Sequence, residues 1–291
     1  MFTLKSSIKS IALVVSVALS HSALAATTVI HAGELLVTAG KAPLKKQTLV
    51  ITDGKITELK SGFVDVNSFG RDAKLIDLSS SFVMSGLMDM HVHLQGELGP
   101  NNDSEMINLS DADTLMKSAY FANKTLMAGF TTVRDLGSSA EQIFALRDGV
   151  KRGWINGPTI IAAGSSVAVT GGHGDVDGMA PDLMELHTAK TICDGPYDCR
   201  RATRHAIKFG ADVIKITSTG GVLSDTDTGT GQQMADDELK EVVETAHSLG
   251  RKVASHAHAA AGINAALRAG VDSIEHGSYA DKESIKLFKM G

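Results

Sequence analysis

The spacing of apolar and polar residues divides the chain into two parts. Residues 27–80 carry short β-rich runs, and Asp53-Gly54 separates two of them in the manner of a tight hairpin. From Phe82 onward, short apolar runs alternate with segments of helical period, which predicts strands joined by helices in a parallel sheet. The chain is therefore expected to hold a small β domain over residues 26–81 and an α/β domain over residues 82–291.

The β domain is expected to be small and sandwich-like. Besides the two strands of the hairpin, β-rich runs lie at Thr27–Ile30, Glu34–Val37 and Lys74–Leu78. Short strands bounded by turn residues at this spacing predict a β-sandwich-like domain.

The α/β domain is predicted to be a TIM-type (β/α)8 barrel. Its predicted strands are Phe82–Leu94, Gly129–Asp135, Pro158–Ala163, Asp212–Thr217, Lys252–Ser255 and Asp272–Glu275. They make about six strand–helix units, whereas a closed barrel has eight. The barrel is therefore expected to be truncated, with its C-terminal part missing from this chain.

Residues 1–25 are interpreted as a secretory signal peptide. Lys5 and Lys9 form a positive region, Ile11–Leu19 form an apolar region, and Ala23-Leu24-Ala25 matches a cleavage site. A membrane anchor is the alternative, but the apolar run is shorter than the roughly 20 residues that span a bilayer. We expect a secreted or periplasmic protein that has no membrane contact after cleavage.

The composition is that of an ordinary globular protein. Of 291 residues, 43% are hydrophobic and 21% are charged. A formal net charge of −5 argues against a nucleic-acid partner or a polybasic membrane contact. A small molecule is the expected ligand, and assembly into a homo-oligomer stays open.

The two cysteines, Cys193 and Cys199, lie six positions apart in a loop-like stretch. In an oxidising compartment they are candidates for a local disulfide. Two free thiols are the alternative. A metal site is disfavoured because no histidine lies nearby in the sequence.

Candidate chemistry lies at the carboxyl ends of predicted strands, where barrel enzymes build their active sites. His91 and His93 are separated by one residue, so in a strand both can face one metal ion. His256 and His276 end successive strands, which predicts neighbouring positions around a second ion. Core histidines satisfied by backbone groups are the alternative. His258 also faces inward by its period and is expected to contact substrate or to support a ligand.

Lys215 lies inside the apolar run Val213–Ile216. A buried ammonium is costly, so desolvation should lower the pKa of this amine and favour its neutral form. A neutral amine can take up CO2 to form a carbamate, whose two oxygens are suited to bridging two cations. The alternative is a lysine that reaches solvent at the strand end.

Two glycine-rich loops are expected to line the substrate pocket. His173 lies in Gly171-Gly-His-Gly174, where it can bind a substrate carbonyl or carboxylate, or can be exposed on a flexible turn. Gly220 and Gly221 follow the strand of Lys215 and permit close approach of the backbone.

Together these residues resemble the amidohydrolase superfamily and, within it, the Xaa-Pro dipeptidase and imidazolonepropionase-like enzymes. The resemblance covers nearly all of the chain after the signal segment. It is carried by Met84–His93, Gly129–Asp135, Gly171–Gly174, Ala211–Ile216, Ser218–Val222, His256-Ala-His258 and Ala269–Gly277.

The resemblance implies a binuclear metal centre, with zinc as the expected metal. It assigns His91 and His93 to one ion, His256 and His276 to the other, and a carboxylated Lys215 and a hydroxide to the bridge. The hydroxide would attack an amide carbonyl that a metal ion polarises.

The resemblance also implies a general-base aspartate at the end of an eighth strand, which is expected beyond Gly291. Asp89 and Asp135 lie on the wrong strands for that role. Arg134 and Asp135 are instead expected to form a structural pair.

The expected function is hydrolysis of a C–N amide bond, with a dipeptide as the favoured substrate. Hydrolysis of a cyclic amide or of an N-acyl amino acid is the alternative within the same superfamily. An inactive truncated remnant is the alternative from another class, because missing strands would leave open sheet edges and remove the base.

Overall fold

The structure is a computed structural model that describes residues 27–100, 102–224 and 229–290. The predicted signal peptide, residues 1–25, lies outside the described residues. The described residues form two compact units, which divide between Ser85 and Gly86. Among the described residues, no helix combines the length and the apolar character needed to cross a membrane.

The N-terminal unit is built on one mixed four-stranded sheet. Its strands are β1 Thr27–Leu36, β2 Leu44–Thr52, β3 Lys55–Ser61 and β4 Lys74–Met84, with a 3-10 helix at Val66–Phe69. The sheet order is β3-β2-β1-β4, with β1 antiparallel to β2 and parallel to β4. Asp53 and Gly54 join β2 to β3 and both take positive φ, as a tight hairpin turn requires.

Residues 27–85 form a single sheet, so the sandwich-like arrangement predicted for this unit is not confirmed within them. The runs Thr27–Ile30 and Glu34–Val37, predicted as separate strands, continue into one another as β1, with an irregularity at Gly33 in the ladder to β4. A Cβ on Gly33 would lie 2.4 Å from the carbonyl oxygen of Ser79. Gly33 therefore lets the two strands stay close, and the two runs become one long strand.

The C-terminal unit alternates strands with helices, as predicted. Its strands are β5 Leu87–Val92, β6 Phe130–Asp135, β7 Thr159–Ala162, β8 Val213–Thr217, β9 Lys252–Ala257 and β10 Ser273–His276. Its helices are α1 Asn102–Asn108, α2 Asp111–Met127, α3 Ala140–Lys151, α4 Pro181–His187, α5 Pro196–Phe209, α6 Asp236–Ser248, α7 Ala260–Ala269 and α8 Lys282–Phe288.

These strands form two parallel sheets, ordered β5-β6-β7 and β8-β9-β10. The sheets are joined by a hydrogen bond from the Asp212 N–H to the Ala162 carbonyl (2.9 Å) and by a parallel bridge between Val167 and Ile216. One apolar cluster extends through both sheets and the helices that pack on them. The described part of this unit is thus an open α/β arrangement, without a closed barrel, and its strands end at a common edge.

Two features of the unit differ from the predictions. Phe82–Met84, expected to begin the first barrel strand, belong to β4, so β5 begins only at Leu87. Helices α1 and α4 occur where no helix is predicted, because seven residues are too few to show a clear apolar period. In the long segment after β7, Cys193 and Cys199 are joined by a disulfide, with their Cα atoms 4.9 Å apart.

Candidate metal centre

One cavity of about 550 Å³ opens at the carboxyl ends of the parallel strands. It brings together the five predicted metal ligands and two of the predicted substrate contacts: His91, His93, Lys215, His256, His276, His173 and His258. The predicted Gly220 and Gly221 are not among the lining residues.

At the β5 end of the cavity, both imidazoles have oxygen partners. His93 Nδ1 donates to the carbonyl oxygen of Gly137 (2.7 Å), because a carbonyl can only accept. His93 therefore keeps Nε2 unprotonated when neutral, with a lone pair available to a metal ion. His91 Nδ1 lies 3.2 Å from Oε2 of Glu275.

The β8–β10 side is the more deeply buried part of the cavity. Lys215 and His256 are each only 4% exposed. The ring centroid of His276 lies 4.7 Å from that of His256 and 5.0 Å from that of His91, so His276 connects the two sides. His256 Nε2 donates to the carbonyl oxygen of Gly220 (3.2 Å). In the neutral ring Nδ1 then carries the lone pair that can bind a metal ion.

Burial controls the protonation of the basic groups on this side. It lowers the pKa of Lys215 to about 8, although the charge of Glu275 acts in the opposite direction. Burial, followed by neighbouring basic groups, lowers the pKa of His256 to about 2 and that of His276 to about 4. Both imidazoles are therefore neutral at neutral pH, which is the form that binds metal ions.

Glu275 remains ionised despite its low exposure. Burial alone would raise the pKa of Glu275, but hydrogen bonds from His91 and Ser273 and the charge of Arg134 outweigh burial and lower it to about 2. A carboxylate is thus present beside the imidazole of His91 over the physiological pH range.

The backbone takes an unusual conformation where β10 ends. His276 has a φ of 69°, in the left-handed region that residues other than glycine rarely adopt. Consecutive residues of a regular strand face opposite sides, yet Glu275 and His276 both contact His91. The turn at His276 allows this double contact, and strain of this kind is concentrated at functional sites.

Among the described residues, three histidines form a compact group of candidate metal ligands. Single ligand atoms of His256, His258 and His276 all lie within 4.8 Å of one another. His258, which the sequence assigns to substrate or to ligand support, therefore also has the position of a metal ligand.

The hydroxyl oxygen of Thr217, Oγ1, is buried without a hydrogen-bond partner among the described residues, although Thr217 lines the same cavity. An unpaired buried hydroxyl is costly, and a bound group in the cavity would satisfy it.

His173 reaches the cavity because glycines leave room for its ring. Its ring centroid lies 4.2 Å from that of His256. A Cβ on Gly221 would lie 2.2 Å from Cε1 of His173, and a Cβ on Gly220 would lie 1.8 Å from the carbonyl oxygen of Gly229. Gly220 and Gly221 therefore shape the cavity through the space they leave, not by lining it.

The predicted structural pair of Arg134 and Asp135 is wrong, because neighbouring strand residues face opposite sides. Arg134 Nη2 donates to Glu275 Oε1 (2.7 Å), whereas Asp135 accepts from the backbone N–H of Leu94 (2.8 Å). Glu275 was missed because its neighbour His276 was assigned to the cavity. The available signal was an acidic residue beside a predicted ligand at the end of an apolar strand.

The donor set fits divalent metal ions of the zinc type. Neutral imidazoles are good ligands for such ions, and an amine with a lowered pKa can be converted to an anionic bridge. The unpaired hydroxyl of Thr217 lies against the same space. The residues are thus compatible with a centre in which several imidazoles share two cations.

The chain matches a known family of hydrolases. The model of the amidohydrolase family matches residues 82–290, and the chain belongs to that family.

Among curated proteins, the chain is 34% identical over 280 residues to ochratoxinase from Aspergillus niger, covering 91% of this chain and 57% of the relative. Among solved structures it is similar to a Xaa-Pro dipeptidase with methionine bound in its active site, at 38% identity and a TM-score of 0.83. It is also similar to a prolidase complexed with N-methylphosphonate-L-proline, at 31% identity and a TM-score of 0.79. Both alignments cover 91% of this chain, but only 65% and 64% of the solved chains.

Proposed function

We propose that the chain forms the catalytic part of a metal-dependent hydrolase that cleaves the C–N amide bond of a dipeptide, with Xaa-Pro dipeptides as the favoured class. The observation that carries the proposal is the convergence of four histidines and Lys215 on one cavity. Similarity to a Xaa-Pro dipeptidase and to a prolidase supports the substrate class. We also propose that the protein is secreted or periplasmic, because residues 1–25 have the pattern of a signal peptide.

The proposed centre holds two divalent ions, with zinc as the proposed metal. His91 and His93 would hold one ion, His256 and His276 would hold the other, and Lys215, carboxylated by CO2, would bridge them. The ions would supply polarisation of the scissile carbonyl and an activated water.

The chain's own residues prepare this centre and orient the substrate. Burial keeps the imidazoles of His256 and His276 neutral, so that no proton has to be removed before they bind a metal ion. His173, next to His256, is proposed to donate a hydrogen bond to a carbonyl or carboxylate of the substrate.

A second cavity of about 430 Å³ adjoins the first and shares His173 with it. Its walls include Ile107, Met179, Leu183 and Asp177. An apolar side chain would be desolvated there, and Asp177 would pair with a free α-ammonium group. These features favour a dipeptide with an apolar first residue over an N-acyl amino acid, which has no ammonium group.

A second candidate is the hydrolysis of an N-acyl amino acid or of a cyclic amide. It is favoured by the similarity to ochratoxinase, whose name gives ochratoxin as its substrate. The candidate from another class remains a chain of this length that binds metal ions without turnover.

The three candidates can be separated by supplying the purified chain with Zn²⁺ and bicarbonate and assaying Xaa-Pro dipeptides, N-acetyl amino acids and cyclic amides. We expect proline release from the dipeptides and about tenfold slower cleavage when the dipeptide is N-acetylated, because the ammonium partner of Asp177 is lost. Asp177→Asn should remove this preference, whereas Asp182→Asn, outside both cavities, is the matched control.

Cleavage of N-acetyl amino acids or cyclic amides, but not of dipeptides, would reject the dipeptide proposal. A metal-loaded chain that cleaves none of the three substrate classes would favour the inactive alternative.

A further inference from the structure

We infer that Glu275 is a positioning residue of the metal centre, which holds the His91 imidazole as its Nδ1–H tautomer and directs Nε2 into the cavity. The inference rests on the proposed function for the metal role of His91, and it concerns a residue outside the proposed ligand set. Glu275 is 7% exposed and does not itself line the cavity.

Three side chains from three strands surround the Glu275 carboxylate. Oε1 accepts from Arg134 Nη2 and from Ser273 Oγ, both at 2.7 Å. Oε2 lies 3.2 Å from His91 Nδ1. A carboxylate paired with a guanidinium can only accept hydrogen bonds, so Nδ1 of His91 has to carry the proton. The remaining ring nitrogen, Nε2, is then the one with a free lone pair.

Arg134 extends the same network to the backbone next to His91. Its Nε donates to the carbonyl oxygen of Met90 (2.7 Å), while its Nη2 holds Glu275. The strand that carries His91 and the carboxylate that orients it are therefore fixed to one guanidinium. This arrangement defines both the place and the rotation of the imidazole, which a hydrogen bond to His91 alone would not do.

The competing explanation is that Glu275 only neutralises the half-buried guanidinium of Arg134. Both explanations predict that Glu275→Gln lowers stability, because Arg134 would lose its charged partner. Only the positioning role predicts a change in the tautomer of His91, since an amide in place of the carboxylate can donate as well as accept.

The deciding measurement is a nitrogen–proton correlation spectrum of the metal-free chain with isotope-labelled histidine, at a pH where the imidazoles are neutral. In the native chain we expect the His91 signals of the Nδ1–H tautomer. In Glu275→Gln we expect a mixture with the Nε2–H tautomer. An unchanged tautomer in this variant would overturn the inference.

Zinc titration gives a second readout. Glu275→Gln should weaken binding at the His91 side by about 10- to 100-fold. The matched control is Glu238→Gln: Glu238 is also buried, 8% exposed, and accepts from the backbone N–H groups of Gly195 (2.6 Å) and Ala235 (2.8 Å) away from the cavity. Equal zinc affinities in the two variants would also contradict the positioning role.

If Glu275→Gln does not fold, Glu275→Asp replaces it, because the shorter side chain keeps a charged partner for Arg134 but withdraws the carboxylate from Nδ1 of His91. It should give the same mixture of His91 tautomers, and the native pattern would again overturn the inference. Because the tautomer is measured without metal, its result does not depend on the proposed function. A native chain that binds no zinc would reject the proposed function and leave the tautomer result intact.

Discussion

The two sides of the candidate metal centre stand in different surroundings. Every residue of β8 is buried, and so is every residue of β9 except the first, whereas no residue of β5 is buried. Desolvation therefore lowers the pKa of Lys215 to about 8 and keeps the imidazole of His256 neutral at neutral pH. His91 and His93 are instead held by the oxygen partners of their Nδ1 atoms. Burial thus sets the protonation of the candidate ligands on one side of the centre, and hydrogen bonding sets the orientation of those on the other side.

This difference separates two kinds of sensitivity. Where burial keeps a ligand neutral, the stability of the site should fall when a substitution adds volume to the packed core. It should also fall in acid, because protonation of a buried imidazole is unfavourable. Ligands prepared by hydrogen bonds should respond to the loss of a single partner, as in Glu275→Gln.

The largest effect is expected from Lys215→Met, which removes the amine from the buried side but keeps most of the side-chain volume. Without the proposed bridging anion, amide hydrolysis should fall by about 100- to 1000-fold. Zinc content should fall in parallel, because one shared ligand is lost. Kinetics and elemental analysis measure the two effects. Lys252→Met, at the exposed start of β9, is the control. Native turnover and zinc content in Lys215→Met would reject the bridging role.

The next largest effect is expected from added volume at Gly221. Gly221→Ala would bring a Cβ to 2.2 Å from the His173 ring, so the ring has to move or the loop has to shift. We expect a loss of stability of about 1–3 kcal/mol in urea unfolding, together with a lower kcat/KM. Gly96→Ala is the control, since the nearest atom to its Cβ would be 4.0 Å away. If Gly221→Ala and Gly96→Ala have the same stability and the same kcat/KM, the packing of the His173 ring against Gly221 is not important for the cavity.

The buried side should also lose stability in acid. Burial lowers the pKa of His256 to about 2, so between 6.5 and that value the unfolded chain binds more protons than the folded chain. The stability is fully present above the unfolded pKa and falls as the pH decreases. Between about pH 7 and about pH 5 the loss from His256 is about 2 kcal/mol. Urea unfolding of the metal-free chain measures it.

His256→Asn provides the comparison for this pH dependence. The variant lacks the titrating group, so its stability should fall less between the same two pH values. Identical slopes for the variant and the native chain would show that His256 does not titrate as its burial requires.

The smallest effect on the site is expected from the disulfide, which lies in the segment before the buried side. Replacing both Cys193 and Cys199 by alanine should lower stability by about 2 kcal/mol, because the loop that the bond closes is short. Zinc affinity should stay at the native value. Calorimetry measures the stability and zinc titration measures the affinity. Weaker zinc binding would show that the disulfide loop helps to hold the ligands of the buried side in place.

Much of the C-terminal unit was predictable, because buried parallel strands are continuous apolar runs. The predicted strand Asp212–Thr217 is one such run, and it forms β8, Val213–Thr217, in the structure. The N-terminal unit was less predictable, since the continuity of β1 depends on the close approach of Gly33 to Ser79 in another strand. The helices α1 and α4 were missed because short helices show too little periodicity.

The candidate site likewise has features that could be predicted from the sequence and features that could not. The convergence of the predicted histidines and Lys215 on one cavity could be expected from their positions at strand ends. The contacts of Arg134 and Asp135 could not, because the prediction paired two neighbours that a strand directs to opposite sides.

By itself, the sequence determined which side chains stand at the ends of the strands and which of them alternate toward one face, because period and apolar runs are local properties of the chain. Only the tertiary structure decided that Glu275 meets both His91 and Arg134. Arg134 and Glu275 are 141 positions apart in the sequence. The positive φ of His276 also changes the direction of the chain at the end of that strand. No local pattern encodes such neighbours, since they arise when separate strands pack against one another.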